Sequence, residues 1–160
     1  MKMTRFALIG AGFLGSVHAQ KFNSHQNARL EVIVDRDANK ATALSRELNC
    51  KMATEYLQLD LQEIDAVIIA TPTISHFEIA KYFLSNGIHC LIEKPITQTV
   101  EEAETLIAIS EKTHALIQVG HVERFNSAVM DFSQKLNNPQ FIEANRIAPY
   151  QLRATDVDVI

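Results

Sequence analysis

Short apolar runs alternate with amphipathic segments along most of the chain. Strand-type runs rich in Ile, Val, Leu and Ala occur at residues 5–9, 30–34, 51–53, 65–70, 88–92 and 115–119. Helical segments separate most of them, at residues 12–24, 38–48, 75–87 and 99–112. The runs show little alternation with polar residues, which is typical of strands buried on both faces of a parallel sheet. The pattern therefore predicts an α/β fold with a doubly wound, six-stranded parallel sheet.

Polar residues at the ends of the helical segments indicate where these helices start and stop. Ser75 with Glu78 and Thr99 with Glu102 have the spacing of a capping box, in which each side chain bonds a free backbone N–H of the first turn. Asn49 is a plausible C-terminal stop for the second helix. These signals predict two capped helices, one before and one after the fifth strand.

The pattern changes after residue 121. It predicts a helix at 125–136, a break at Asn137-Asn138-Pro139, a strand at 141–147 and a further element at 154–160. These segments do not continue the alternation of strand and helix. We therefore expect residues 1–121 to form one domain and residues 122–160 to begin a second, α+β domain that is truncated in this chain.

A glycine-rich hexapeptide, Gly10-Ala11-Gly12-Phe13-Leu14-Gly15, follows the first strand and opens the first helix. Glycines at these three positions allow a tight turn, a close approach of the backbone to a pyrophosphate, and close packing of helix on strand. The helix N-terminus would offer its free N–H groups to the phosphates. In this context the loop predicts a dinucleotide-binding Rossmann domain, with cofactor-binding residues Gly10, Gly12, Phe13, Leu14 and Gly15.

Asp35 stands at the end of the second strand, 20 residues after Gly15. A carboxylate there accepts hydrogen bonds from the adenosine ribose hydroxyls and repels a 2′-phosphate, which favours NAD over NADP. Arg36 acts in the other direction, because a guanidinium can pair with that phosphate. We expect both residues to contact the cofactor and NAD to be preferred.

Three further strand ends carry polar chemistry, and ligands of open parallel sheets bind outside such ends. They are Thr71-Pro72-Thr73 with His76, Glu93-Lys94-Pro95, and Gly120-His121 with Arg124 and Asn126. Taken alone, Lys94 is more typical of a surface salt bridge than of an acid/base or substrate-orienting group. A histidine in the position of His76, taken alone, is typical of a helix-capping or core residue. Arg124, taken alone, is typical of a solvated surface charge.

Composition excludes several classes of function. Of the 160 residues, 47% are apolar and 21% are charged, which is ordinary for a globular domain. The net charge of −4 without a basic run disfavours nucleic acid and anionic membranes as partners. We see no signal peptide, no membrane span and no metal-ligand spacing among the histidines and cysteines. Two cysteines fit a reducing, cytoplasmic location.

Three of these motifs together resemble the N-terminal part of the glucose-fructose oxidoreductase, inositol 2-dehydrogenase and MocA-type family. They are the glycine loop, Ala70-Thr71-Pro72 with His76, and Glu93-Lys94-Pro95, of which the last is the most specific. Residues 119–126 and 146–159 further resemble the UDP-N-acetylglucosamine 3-dehydrogenases of that family. Ser127 stands where this subgroup usually has proline.

The resemblance implies an NAD-dependent transfer of a hydride from a sugar carbon to nicotinamide. For the subgroup this carbon is C3 of a UDP-N-acetyl sugar, on the way to lipid A, whereas inositol or a free sugar is the alternative substrate. Lys94 would be the catalytic lysine, and Glu93 and Pro95 would shape the nicotinamide pocket. The remaining implied contacts are Thr71, Pro72 and His76 to the cofactor, and His121, Arg124 and Asn126 on the substrate side. The full-length protein would be a homo-oligomer.

The family's acid/base histidine has no counterpart here, because no histidine follows His121. We therefore expect a truncated chain that binds the dinucleotide but turns over sugar slowly or not at all. The competing hypothesis is a non-catalytic dinucleotide-binding module with a sensing or regulatory role. That hypothesis explains the missing histidine, but it explains Lys94 and the polar segment 121–126 poorly.

Overall fold

A computed structural model describes residues 3–145 and 147 of the chain. Six parallel strands form one sheet with the order β3-β2-β1-β4-β5-β6. The strands are β1 (Thr4–Ile9), β2 (Ala28–Val34), β3 (Lys51–Ala53), β4 (Ala66–Ile69), β5 (His89–Ile92) and β6 (Ile117–Val119). The predicted doubly wound α/β fold is confirmed. The strand order reverses between β1 and β4, so a crevice for a ligand opens at their carboxyl ends.

Helices connect the strands and cover both faces of the sheet. They are α1 (Phe13–Asn23), α2 (Ala38–Leu48), α3 (His76–Ser85), α4 (Val100–Thr113) and α5 (Ser127–Lys135). Asn49 ends α2 in the left-handed conformation, with φ 54°, as predicted for a C-terminal stop. Thr99 and Glu102 form the predicted capping box of α4.

The capping box predicted at Ser75 and Glu78 is wrong. A 3-10 turn, Thr73–Ser75, runs directly into α3, so Ser75 already has helical backbone angles and its side chain caps nothing. Its hydroxyl instead donates to Thr71 Oγ1 and to the Pro72 carbonyl. The Ser-x-x-Glu spacing therefore lies inside a helical turn at this point.

The core lies on both faces of the sheet, and β4 contributes to each. Val67 and Ile69 pack into a cluster with Phe83 of α3 and Leu106 of α4, whereas Ile68 packs into the cluster under α1 and α2. All five side chains are fully buried. Burial of each side chain of this size contributes about 1.5–3 kcal/mol, so the sheet is fixed from both sides.

The segment after residue 121 lies outside this core. No residue of α5 is buried, and the strand predicted at 141–147 is not formed at residues 141–145 and 147, which are exposed. A strand needs a neighbour for its backbone hydrogen bonds, and none of the described strands pairs with this segment. The element predicted at 154–160 lies outside the described residues. Within the described part of the chain, no helix has the length and apolar character to cross a membrane.

Candidate cofactor and reaction site

The glycine loop connects β1 to α1 through a turn that side chains would obstruct at two positions. Gly10 has φ +99°, and a Cβ atom there would lie 2.7 Å from the Ala70 carbonyl oxygen at the end of β4. A Cβ atom on Gly15 would collide with the carbonyl oxygen of Gly10. The loop and the first turn of α1 are therefore pressed together, as the predicted roles of these glycines require.

The N-terminus of α1 is open. Gly12 caps it without a side chain, its first turn contains no acidic residue, and a Cβ atom on Gly12 would meet nothing within 4 Å. Phe13 and Leu14, the first residues of the helix, are 84% and 45% exposed. Free N–H groups beside open space fit a pyrophosphate, because the helix dipole attracts anions there.

Asp35 links the glycine loop to the start of α2. One carboxylate oxygen accepts from the Ala11 N–H at 2.7 Å, and the other accepts from the Asp37 N–H at 2.9 Å. Each carboxylate oxygen can accept a second hydrogen bond, which leaves capacity for two ribose hydroxyls. The side chain of Arg36 is exposed next to it. This end of the site fits the adenosine ribose.

His76 is buried, with 1% of its surface exposed. Its Nε2 lies 2.9 Å from the Thr71 carbonyl oxygen, and its Nδ1 lies 3.0 Å from the Pro95 carbonyl oxygen. The imidazole thus joins the loop after β4 to the loop after β5, where the Lys94–Pro95 peptide bond is cis. Both ring nitrogens face backbone oxygens, so His76 links these two loops, and its contact with the cofactor stays a prediction.

Glu93, at the end of β5, turns inward and is only 7% exposed. Its Oε1 lies 2.6 Å from Nε2 of His18 on α1, and its Oε2 accepts from the Lys94 N–H at 3.2 Å. Sequence reasoning missed His18. Its position three residues after Gly15 could have indicated it, since residues spaced by three share a helix face and Gly15 packs against β1.

Lys94 is exposed and has no ion pair with any residue in the described ranges. The surface salt bridge expected for Lys94 taken alone is therefore wrong within these ranges, and the neighbouring Glu93 carboxylate faces His18 instead. An ammonium at the carboxyl end of β5, without a paired carboxylate, can donate hydrogen bonds to a bound molecule.

The segment after β6 forms a 3-10 turn, Val122–Phe125, that leads into α5. His121 and Arg124 are exposed at the start and within this turn. Asn126 caps α5: its side-chain oxygen accepts from the Ala128 N–H, and its amide donates to Glu123. The Asn126 side chain therefore already makes two hydrogen bonds within the chain, which a substrate contact would have to replace. The side chains of His121 and Arg124 are exposed to solvent.

These groups meet at one edge of the sheet, because the carboxyl ends of parallel strands lie together. Three features lie along that edge near the switch point: the open N-terminus of α1, the Asp35 carboxylate, and the Lys94 ammonium, which has no ion pair among the described residues. The described residues contain no group of three or more His, Cys, Asp or Glu side chains that could hold a metal ion. The arrangement suits binding of an extended dinucleotide with polar groups at both ends.

Comparison with known proteins gives relatives that include a sugar-nucleotide dehydrogenase and inositol dehydrogenases. UDP-N-acetylglucosamine 3-dehydrogenase of Acidithiobacillus ferrooxidans is 39% identical over 157 residues, which are 98% of this chain and 49% of that protein. Inositol 2-dehydrogenase of Rhizobium meliloti is 29% identical over 143 residues, 89% of this chain and 43% of that protein. The chain thus spans half or less of the length of these curated relatives.

Solved structures agree with the sequence relatives. The structure of UDP-N-acetylglucosamine 3-dehydrogenase from A. ferrooxidans has a TM-score of 0.78 at 38% identity, covering 84% of this chain and 42% of that one. GenD2 from gentamicin A biosynthesis, solved in complex with NAD, has a TM-score of 0.72 at 27% identity, covering 75% of this chain and 35% of that one.

Residues 4–121 match the profile of the oxidoreductase family with an NAD-binding Rossmann fold. The match begins at β1 and ends just after β6, so it includes the glycine loop, the loop after β4 and the loop after β5. The chain therefore belongs to the glucose-fructose oxidoreductase, inositol dehydrogenase and MocA family, and its six-stranded sheet is that family's NAD-binding domain.

Proposed function

We propose that this chain is the cofactor-binding part of a sugar-nucleotide dehydrogenase that takes a hydride from C3 of a UDP-N-acetyl sugar. The observation that carries the proposal is the free ammonium of Lys94 at the same sheet edge as the open N-terminus of α1. The 39% identity to a UDP-N-acetylglucosamine 3-dehydrogenase supports the substrate class. The alternative substrate is inositol, which the match to an inositol 2-dehydrogenase supports.

Each part of the site has a task in this proposal. The N–H groups at residues 13–15 would hold the pyrophosphate, and Asp35 would accept from the adenosine ribose. NAD, when bound, supplies the hydride acceptor. Lys94 would donate a hydrogen bond to the reacting sugar oxygen and stabilise the negative charge that grows there as its proton leaves. Glu93 and Pro95 would shape the nicotinamide pocket.

Contacts on the substrate side come from His121 and Arg124, and a phosphate of the UDP group suits the guanidinium of Arg124. The acid/base histidine implied by the family has no counterpart among these 160 residues. We therefore expect the chain alone to bind NAD with little or no turnover of sugar. A cytoplasmic location and homo-oligomerisation of the longer protein belong to the same proposal.

Calorimetric titration of the chain with NAD and NADP tests the cofactor site. Asp35→Ala should weaken NAD binding by about ten- to a hundredfold, since a hydrogen bond to a charged group contributes about 1.5–3 kcal/mol. NADP binding should weaken much less, because the variant also removes a charge that repels the 2′-phosphate.

Asp60→Ala is the matched control. Asp60 also accepts from a backbone N–H in a turn, that of Gln62, but outside the site. Equal affinity of the Asp35→Ala variant and the wild type for NAD would contradict the assigned ribose contact. For the substrate, a protein of the relatives' length that contains this chain should reduce NAD with UDP-N-acetylglucosamine and not with inositol. The reverse would favour the alternative.

A further inference from the structure

The roles described so far do not use the contact between His18 and Glu93. Its atoms lie 2.6 Å apart, and the two side chains are 17% and 8% exposed. The contact joins residues 75 positions apart, one on the helix that opens at the glycine loop and one at the end of β5. The pair thus connects the cofactor-binding helix directly to the strand end that carries Lys94.

A carboxylate buried to this degree must keep a hydrogen-bond partner, because desolvating an unpaired charge is costly. Glu93 has two: His18 Nε2 and the Lys94 backbone N–H. The second contact places the carboxylate beside the start of the Lys94 side chain. If His18 were absent, the ammonium of Lys94 would be the cation next to a carboxylate in need of a partner.

Gly120, at the end of β6, provides the space that the carboxylate occupies. A Cβ atom there would lie 3.0 Å from Glu93 Cδ and Oε1, and 3.1 Å from Oε2. These distances are shorter than ordinary van der Waals contacts, so a Cβ atom at this position would require the carboxylate to move by a few tenths of an ångström. Glu93 is therefore held inward by a donor on one side and by a missing side chain on the other.

We infer that His18 is a positioning residue: it holds the Glu93 carboxylate away from the Lys94 ammonium and so keeps that ammonium free for the reaction centre. The inference rests on the proposed function for the role of Lys94. An ammonium paired with its neighbouring carboxylate would have to break that pair before it could donate to a sugar oxygen. His18 removes this competition and does not touch the substrate.

The reactivity of the Lys94 amine gives a test that needs neither cofactor nor turnover. Brief acetylation of the native chain, followed by peptide mass spectrometry, measures the labelling rate of Lys94 relative to Lys112, an exposed lysine in the last turn of α4. His18→Leu should lower the Lys94 to Lys112 ratio by a factor of about two to five, the range that an exposed lysine–carboxylate pair provides.

Three further variants make the test specific. His18→Gln should keep the ratio near the wild-type value, because its amide nitrogen can still donate to Glu93. His25→Leu, the same substitution at an exposed histidine beyond α1, should leave it unchanged. His18→Ala also removes the donor to Glu93 and should lower the ratio as His18→Leu does, so it serves as the second variant should His18→Leu fail to fold.

An unchanged ratio in a folded His18→Leu or His18→Ala variant would overturn the inference. So would an equal drop in His18→Gln or in His25→Leu. Titration of the same preparations with NAD separates this inference from the proposed function. A drop in the ratio without NAD binding would contradict the proposed function and support the role of His18. NAD binding with an unchanged ratio would support the function and contradict the role of His18.

Discussion

Gly12 and Gly15 belong to the same loop, yet a side chain would meet different surroundings at each. At Gly12 it would project into open space, where we place the pyrophosphate. At Gly15 it would collide with the backbone of Gly10. A substitution at Gly12 should therefore affect binding, whereas a substitution at Gly15 should affect folding.

We expect Gly12→Ala to weaken NAD binding strongly while lowering the free energy of unfolding by less than about 1 kcal/mol, the usual effect at a helix N-cap. Gly15→Ala should lower the free energy of unfolding by on the order of 3 kcal/mol, because the loop must move to relieve the collision. Urea unfolding and calorimetry with NAD measure the two effects. A loss of stability in Gly12→Ala as large as that in Gly15→Ala, or an unchanged NAD affinity, would contradict the assignment of the open space to the pyrophosphate.

At Glu93 and Lys94 the sequence alone could not predict the side-chain partners. Adjacent residues of opposite charge suggest an ion pair, and burial or exposure of each decides whether it forms. Here the partner of Glu93 is His18, which is 75 positions away. A contact of this kind depends on where α1 lies relative to the end of β5, and no local pattern in the sequence predicts that position.

The helices α3 and α4 show how far an element can be predicted from local signals. Both are preceded by a hydroxyl residue with glutamate three positions later, but only Thr99 and Glu102 form the capping box. Before α3 the loop already turns as a 3-10 helix, which moves the true start of helical backbone to Thr73. The same motif therefore predicts a cap only where the preceding backbone is extended, as it is at Thr99.

The capping box of α4 has a measurable contribution to stability. Thr99 Oγ1 accepts from the Glu102 N–H at 3.2 Å, and Glu102 Oε2 accepts from the Thr99 N–H at 3.3 Å. Thr99→Ala should lower the free energy of unfolding by about 1 kcal/mol, whereas Thr99→Ser should retain it. Ser75→Ala is a useful comparison, because it removes a hydroxyl of the same motif that caps no helix. Urea denaturation of the three variants measures the difference, and equal effects of Thr99→Ala and Thr99→Ser would contradict the prediction.

At the scale of the whole molecule, the sheet was predictable and the segment after it was not. Six apolar runs without alternation, separated by helices, indicate a doubly wound parallel sheet, since few other folds bury strands on both faces. Residues 141–145 have the composition of a strand but no partner strand among the described residues. Composition shows that a segment can form a strand, whereas pairing depends on which neighbour is present.

Alkaline pH should destabilise the molecule, because folding raises the pKa of five side chains in the described part of the chain. Burial raises the pKa of the Cys90 thiol to about 12 and, with a smaller contribution from Glu31, that of Cys50 to about 11. The pKa of Tyr56 is raised mainly by burial, that of Lys51 by its hydrogen bond to Glu63, and that of Arg5 by its hydrogen bond to Asp65. Above about pH 9 the folded chain therefore holds more protons than the unfolded chain.

Cys90 provides the sharpest test, because its thiol is 2% exposed within β5 and its usual pKa is 9.0. Its contribution to stability is complete below pH 9 and is lost as the pH rises towards 12, since the unfolded thiol ionises first. By pH 10.5 this loss should reach on the order of 2 kcal/mol. Cys90→Ala cannot undergo it, so the gap in free energy of unfolding between variant and wild type should shrink by that amount between pH 8 and pH 10.5. Parallel pH curves for wild type and Cys90→Ala would show that folding does not hold the proton on Cys90.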